Sequence, residues 1–128
     1  MKPFTTDLTG AATRIAEETT RFLAFVIQDE DDVGIPAAEL QSLTLTLFDR
    51  RTGQILNSRD GVDILNANGG TVDGAGNGEL KLTPADNVIF TAGRVEEDHV
   101  ALVEWEDANG QVGRHVILLR VENLAKVP

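Results

Sequence analysis

Ser42-Leu43-Thr44-Leu45-Thr46-Leu47-Phe48 alternates polar and apolar side chains without a break and runs straight into Asp49-Arg50-Arg51-Thr52-Gly53. A period of two puts Leu43, Leu45 and Leu47 on one face of a strand. That face needs a layer over it, so the stretch predicts a sheet packed against a second sheet.

Toward the C-terminus, Thr52-Gly53 turns the chain into Gln54-Ile55-Leu56-Asn57 as a hairpin partner, glycine supplying the positive φ of a short reversal. Residues 58–70 are irregular, with Val62, Ile64 and Leu65 as core contacts. Thr71-Val72-Asp73 and Glu79-Leu80-Lys81-Leu82-Thr83 are short strands around the glycine-rich reversal 74–78. Pro84-Ala85-Asp86-Asn87 forms a tight turn, and Val88-Ile89-Phe90 a short strand or buried connection. Residues 94–98 read as a solvated link. His99-Val100-Ala101-Leu102-Val103-Glu104-Trp105-Glu106 is the next strand, with Ala101, Val103 and Trp105 on one face. Asn109-Gly110 reverses it into residues 111–121, whose buried face is Ile117, Leu119 and Val121.

Toward the N-terminus, Arg21-Phe22-Leu23-Ala24-Phe25-Val26-Ile27-Gln28 carries apolar side chains on both faces, as a strand in the middle of a sandwich or beneath another subunit does. Residues 1–20 form an N-terminal arm, extended or as a short helix after Thr9; the threonines around it favour the extended arm, and a partner subunit would order it. The division expected is therefore 1–20 arm and 21–128 sandwich. Short strands, turn signals every eight to twelve residues and no long helix describe an all-β, antiparallel, immunoglobulin-like β-sandwich with a Greek key, a jelly roll or small barrel being the alternative.

A net charge of −10 over 128 residues repels phosphate backbones and anionic headgroups, so neither nucleic acid nor a membrane is an expected partner. Arg50, Arg51 and Arg59 come nearest to a basic patch, but Asp49 and Asp60 sit among them. With no cysteine there is no disulfide, thiolate metal site or cysteine nucleophile. The start of the chain has no apolar leader and no stretch reaches the roughly 18 apolar residues of a spanning helix, so a product made and used in the cytoplasm is expected.

No catalytic, cofactor or metal residue is assigned. His99 and His115 lie at the two ends of one hairpin, where cross-strand neighbours could bring them near each other and near Glu97 or Asp98; Ser42 and Ser58 are the only serines, and neither sits in a nucleophile elbow. Glu104 and Glu106 share a strand face, as a glycosidase pair or an ordinary solvated face would. Asp29-Glu30-Asp31-Asp32 lacks the alternate ligand spacing of a calcium loop, and Asp73-Gly74-Ala75-Gly76-Asn77-Gly78 lacks its terminal acid, so both read as turns.

The run from Leu43 to Asp49 with Thr52-Gly53, then Ile64-Leu65-Asn66, Leu82-Thr83-Pro84-Ala85-Asp86-Asn87, the strand from His99 to Trp105 and Arg120-Val121-Glu122-Asn123-Leu124 resembles small structural proteins of tailed bacteriophages, and through them the immunoglobulin-like N-terminal domains of phage baseplate proteins. The likeness spans roughly residues 12–127. It implies a non-enzymatic virion component assembled in the host cytoplasm as a homo-oligomer. Its expected partners are portal or connector, capsid or tail proteins. The neck between head and tail is the expected position. A capsid decoration protein or a carbohydrate-binding tail or baseplate module, the latter with an aromatic row of Trp105 with Phe48 or Phe90, is the alternative.

Overall fold

The computed structural model describes residues 4–10, 13–91 and 93–123. Among these residues nine strands follow one another: β1 (Phe4–Leu8), β2 (Ile15–Ala16), β3 (Arg21–Val26), β4 (Leu40–Asp49), β5 (Val62–Asp63), β6 (Gly70–Val72), β7 (Asn77–Leu82), β8 (Glu96–Asp107) and β9 (Val112–Glu122). A 3-10 turn, Ala37–Glu39, precedes β4. The larger sheet has the order β1-β9-β8-β4-β5, with β2 also on β9; the smaller has the order β3-β7-β6. The protein is all-β.

The expectation of a purely antiparallel fold is corrected in the larger sheet, which is mixed. Both β1 and β2 run parallel to β9. A hairpin forces its strands to be antiparallel, but the N-terminal segment reaches β9 from the far end of the sequence, so no turn dictates its direction.

Alternation fills the interior as read from the sequence. Leu43, Leu45 and Leu47 of β4, Ala101, Val103 and Trp105 of β8 and Ile117, Leu119 and Val121 of β9 form one core cluster with Leu23, Phe25, Leu80 and Leu82 of the smaller sheet. Two glycines leave room for rings. A Cβ on Gly113, the register partner of Trp105, would stand 2.4 Å from the indole, and one on Gly78 2.2 Å from the Phe25 ring.

Two further expectations change. Residues 21–26 do not lie mid-sandwich: β3 is an edge of the smaller sheet, Leu23 and Phe25 point inward, and Phe22 is 57% exposed. Residues 88–90 form no strand; Ile89 packs half-buried while Phe90 is exposed.

Three reversals share one device. Asp29, Asp73 and Asp107 each use Oδ1 to accept the backbone N–H groups two and four residues on, at 2.8–3.0 Å. These are Asx-type turns, in which the carboxylate takes over bonds that the loop backbone cannot make for itself. The bonds to Asn77 and Ala75 hold the Asp73 carboxyl below its ordinary range.

Candidate functional site

Alternation along β8 carries Glu97 and His99 onto the same inward face as Ala101, Val103 and Trp105. The solvated link expected over 94–98 is therefore corrected: Glu97 is 2% exposed and His99 fully buried. A charge alone suggested solvent, but hydrogen bonds compensate this carboxylate in the interior. Oε1 of Glu97 accepts the Phe90 N–H at 2.8 Å and His99 Nε2–H at 2.7 Å; Oε2 accepts the Thr91 N–H at 3.0 Å and Arg94 Nη1 at 3.4 Å. Burial pushes this carboxyl up, yet the bonds from His99, Phe90 and Thr91 outweigh it and leave it below its ordinary value. An ionised carboxylate only accepts, so the imidazole proton is on Nε2, and Nδ1 is buried without a hydrogen-bond partner.

Asp49 completes the cluster. It is the register partner of His99, accepts the Thr52 hydroxyl at 2.7 Å and lies 4.0 Å from Arg94 Nη1. The group ties Phe90, Thr91, Arg94 and the turn after β4 to the start of β8. His115 is elsewhere: His99 pairs with Leu119 and His115 with Val103, four register positions away, and His115 Nε2 meets the Thr6 hydroxyl at 2.7 Å. Asp98 points to the other face, where Arg120 Nε and Nη2 donate to it at 2.7 and 3.1 Å. Ser42 stands near the opposite end of β4 and Ser58 in an exposed turn, so neither hydroxyl faces these histidines.

Above the buried group, Arg50, Arg51, Arg94 and Arg120 line a cleft with Glu96, Glu97 and Asp98. Arg59, read with Arg50 and Arg51 as one patch, leaves it entirely. Its Nε and Nη2 donate to the two carboxylate oxygens of Asp86, both at 2.9 Å, and its Nη1 to the Asn68 carbonyl. Asp86 also accepts from Asn57 Nδ2 at 2.7 Å and from the Thr83 N–H at 2.8 Å. Burial raises the Asp86 carboxyl, and the Arg59, Asn57 and Thr83 bonds bring it below its ordinary value. This latch joins the irregular 57–68 segment to the turn after β7, a role that composition did not reveal.

Glu104 and Glu106 share the outward face of β8, where Arg114 Nη2 donates to Glu104 at 3.1 Å. They border an open cleft with Ser42, Thr44 and Val112. Trp105 is turned into the core at 2% exposure, so it forms no surface row with Phe48 or Phe90. Between the Asp98–Arg120 and Glu104–Arg114 pairs, the outward face carries Phe48, Val100, Leu118, Leu102 and Val116 in adjacent register rows, all but the buried Val100 half-buried. Among the described residues no group of three or more His, Asp or Glu could hold a metal ion, and no helix is long and apolar enough to cross a membrane.

Burial lowers His115 below its ordinary value of 6.5. A proton then favours the unfolded chain, so this contribution to stability is complete above about pH 6.5 and declines as pH falls from there toward the lowered value. The lowered carboxyls of Asp86, Glu97 and Asp98 have the same sign, in a window beginning near their ordinary values of 3.8, 4.5 and 3.8. Thermal unfolding is expected to show a level Tm at neutral pH and a two-stage fall on acidification. His115→Gln should remove the first stage and leave the second; a single fall near pH 4 in the parent chain would contradict this.

No family model matches the chain, and neither the search of characterised proteins nor that of solved structures finds a match.

Proposed function

We propose that the chain is a non-enzymatic structural component of a tailed-bacteriophage virion, assembling in symmetric copies at the neck against portal or connector and neighbouring tail or capsid proteins. The observation that carries the reading is the outward face of the larger sheet. Its apolar belt of Phe48, Leu102, Val116 and Leu118 is fringed at both ends by ion pairs, the anatomy of a protein–protein interface with an apolar centre and a polar rim. The buried polar clusters support the same reading, because their carboxylates are spent on bonds to backbone, arginine and asparagine that hold loops in place. The immunoglobulin-like Greek key is part of the proposal. It is supported by the order β1-β9-β8-β4-β5 opposite β3-β7-β6, in which consecutive strands β3 and β4 belong to different sheets.

Imaging of intact particles labelled against this chain is expected to place the label at the junction of head and tail in a fixed number of copies. Leu102→Glu puts a charge in the centre of the belt; it should fold as the parent does and incorporate about tenfold less. Label absent from particles, or equal incorporation of the Leu102→Glu chain, would refute the reading.

A further inference from the structure

We propose that the N-terminal segment is exchanged between copies, β1 and β2 of one chain taking the β9 edge of a second, with residues 17–20 as the hinge. This deepens the assembly reading above and rests on it for its biological use. The segment is an addition to a single strand edge: β1 pairs with residues 115–119 and β2 with residues 121 and 122. What seats it is specific. The Thr6 hydroxyl meets His115 Nε2 at 2.7 Å, Leu8 packs on the core, Ile15 is buried within it, Arg14 pairs with Glu122, and the Glu17 N–H donates to the Glu122 carbonyl at 2.8 Å.

The hinge breaks a local rule. The Thr19 N–H donates to the Ala16 carbonyl at 3.3 Å, so residues 16–19 form a β-turn, and its third residue, Glu18, has φ +60°. A positive φ at that position is ordinarily supplied by glycine; a residue with a Cβ is strained there. Opening the turn releases that strain, while a second chain restores every seating contact on β9. Closed and exchanged forms then differ in hinge conformation, in the bonds of residues 17–19 to Asn87 and Ile89, and in the entropy of association, so concentration sets the balance. Bonds from the Glu18 N–H to the Asn87 carbonyl and from Asn87 Nδ2 to the Thr19 carbonyl oppose opening and keep the dilute chain closed.

The chain has no cysteine, which makes cross-linking unambiguous. Thr5 and Val116 are register partners on the outward face, and adjacent strands are about 4.8 Å apart, within reach of a disulfide. A chain carrying both Thr5→Cys and Val116→Cys is expected to close its own disulfide when dilute. Thr5→Cys and Val116→Cys chains refolded together at high concentration should give the mixed disulfide between two chains, identified by mass. Glu18→Gly in both should reduce its yield about tenfold. The same cross-link is expected in a Leu102→Glu background, so exchange stands even where packing through the sheet face fails. A doubly substituted chain that closes on itself, while the mixture yields no joined chains, would overturn the proposal. So would a cross-link abolished by Leu102→Glu, which would mean that packed faces alone had brought the cysteines together.

Discussion

Asp86→Ala is expected to destabilise the fold by about 3–5 kcal/mol, measured by urea unfolding at neutral pH. The carboxylate is fully buried and accepts bonds from Arg59, Asn57 and Thr83. Its removal leaves the Arg59 guanidinium, itself 90% buried, as a charge without a counter-ion. The cost arises mainly from that orphaned cation and less from the loss of the attraction itself. Arg59→Met combined with Asp86→Leu should therefore regain much of the loss, since apolar side chains of similar volume need no partner. A double variant as unstable as Asp86→Ala alone would show that the lost bonds to Asn57, Thr83 and Asn68, and not the orphaned charge, carry the cost.

Trp105→Ala should cost about 3–5 kcal/mol, because it empties the largest side-chain volume of the core at a site bounded by two long strands that cannot collapse inward. Trp105→Phe is expected to be far milder. The indole Nε1 is buried with no hydrogen-bond partner, so no bond is lost with it. Gly113 gives the companion test. A methyl group there meets the indole at 2.4 Å, so Gly113→Ala should destabilise the parent chain but cost less in a Trp105→Phe background. Additive effects in that double-mutant cycle would contradict direct packing of the ring on the glycine.

What the sequence revealed was local. The strict alternation of residues 42–48 identified β4 and its buried leucines, and Gly53 and Asn109-Gly110 placed their reversals, since period and turn chemistry are properties of neighbouring residues. Trp105 was legible as core from its place in the alternation of β8. The missed features depend on distant residues. Glu97 read as solvated because its compensation comes from the Phe90 and Thr91 backbone and from Arg94. Arg59 read as part of a surface patch because Asp86 lies far along the chain. Apolar residues on both faces of β3 suggested a central strand, although Phe22 is an exposed side chain on an edge. Glu97 and His99 carried one usable signal, the odd-numbered register they share with Ala101 and Trp105, and Asp49 the register it shares with Leu43, Leu45 and Leu47; the acidic side chains outweighed it.

The pairing of Phe4–Leu8 with residues 115–119 couples the first of the described strands to the last of them. During synthesis at roughly 5–20 residues per second, β1 waits for β9 for several seconds at least, and closure of the larger sheet follows translation of the whole described body. Refolding from denaturant should be slow for so small a chain, in the range of milliseconds to seconds, because its longest loop must close before the ladder on β9 contributes anything.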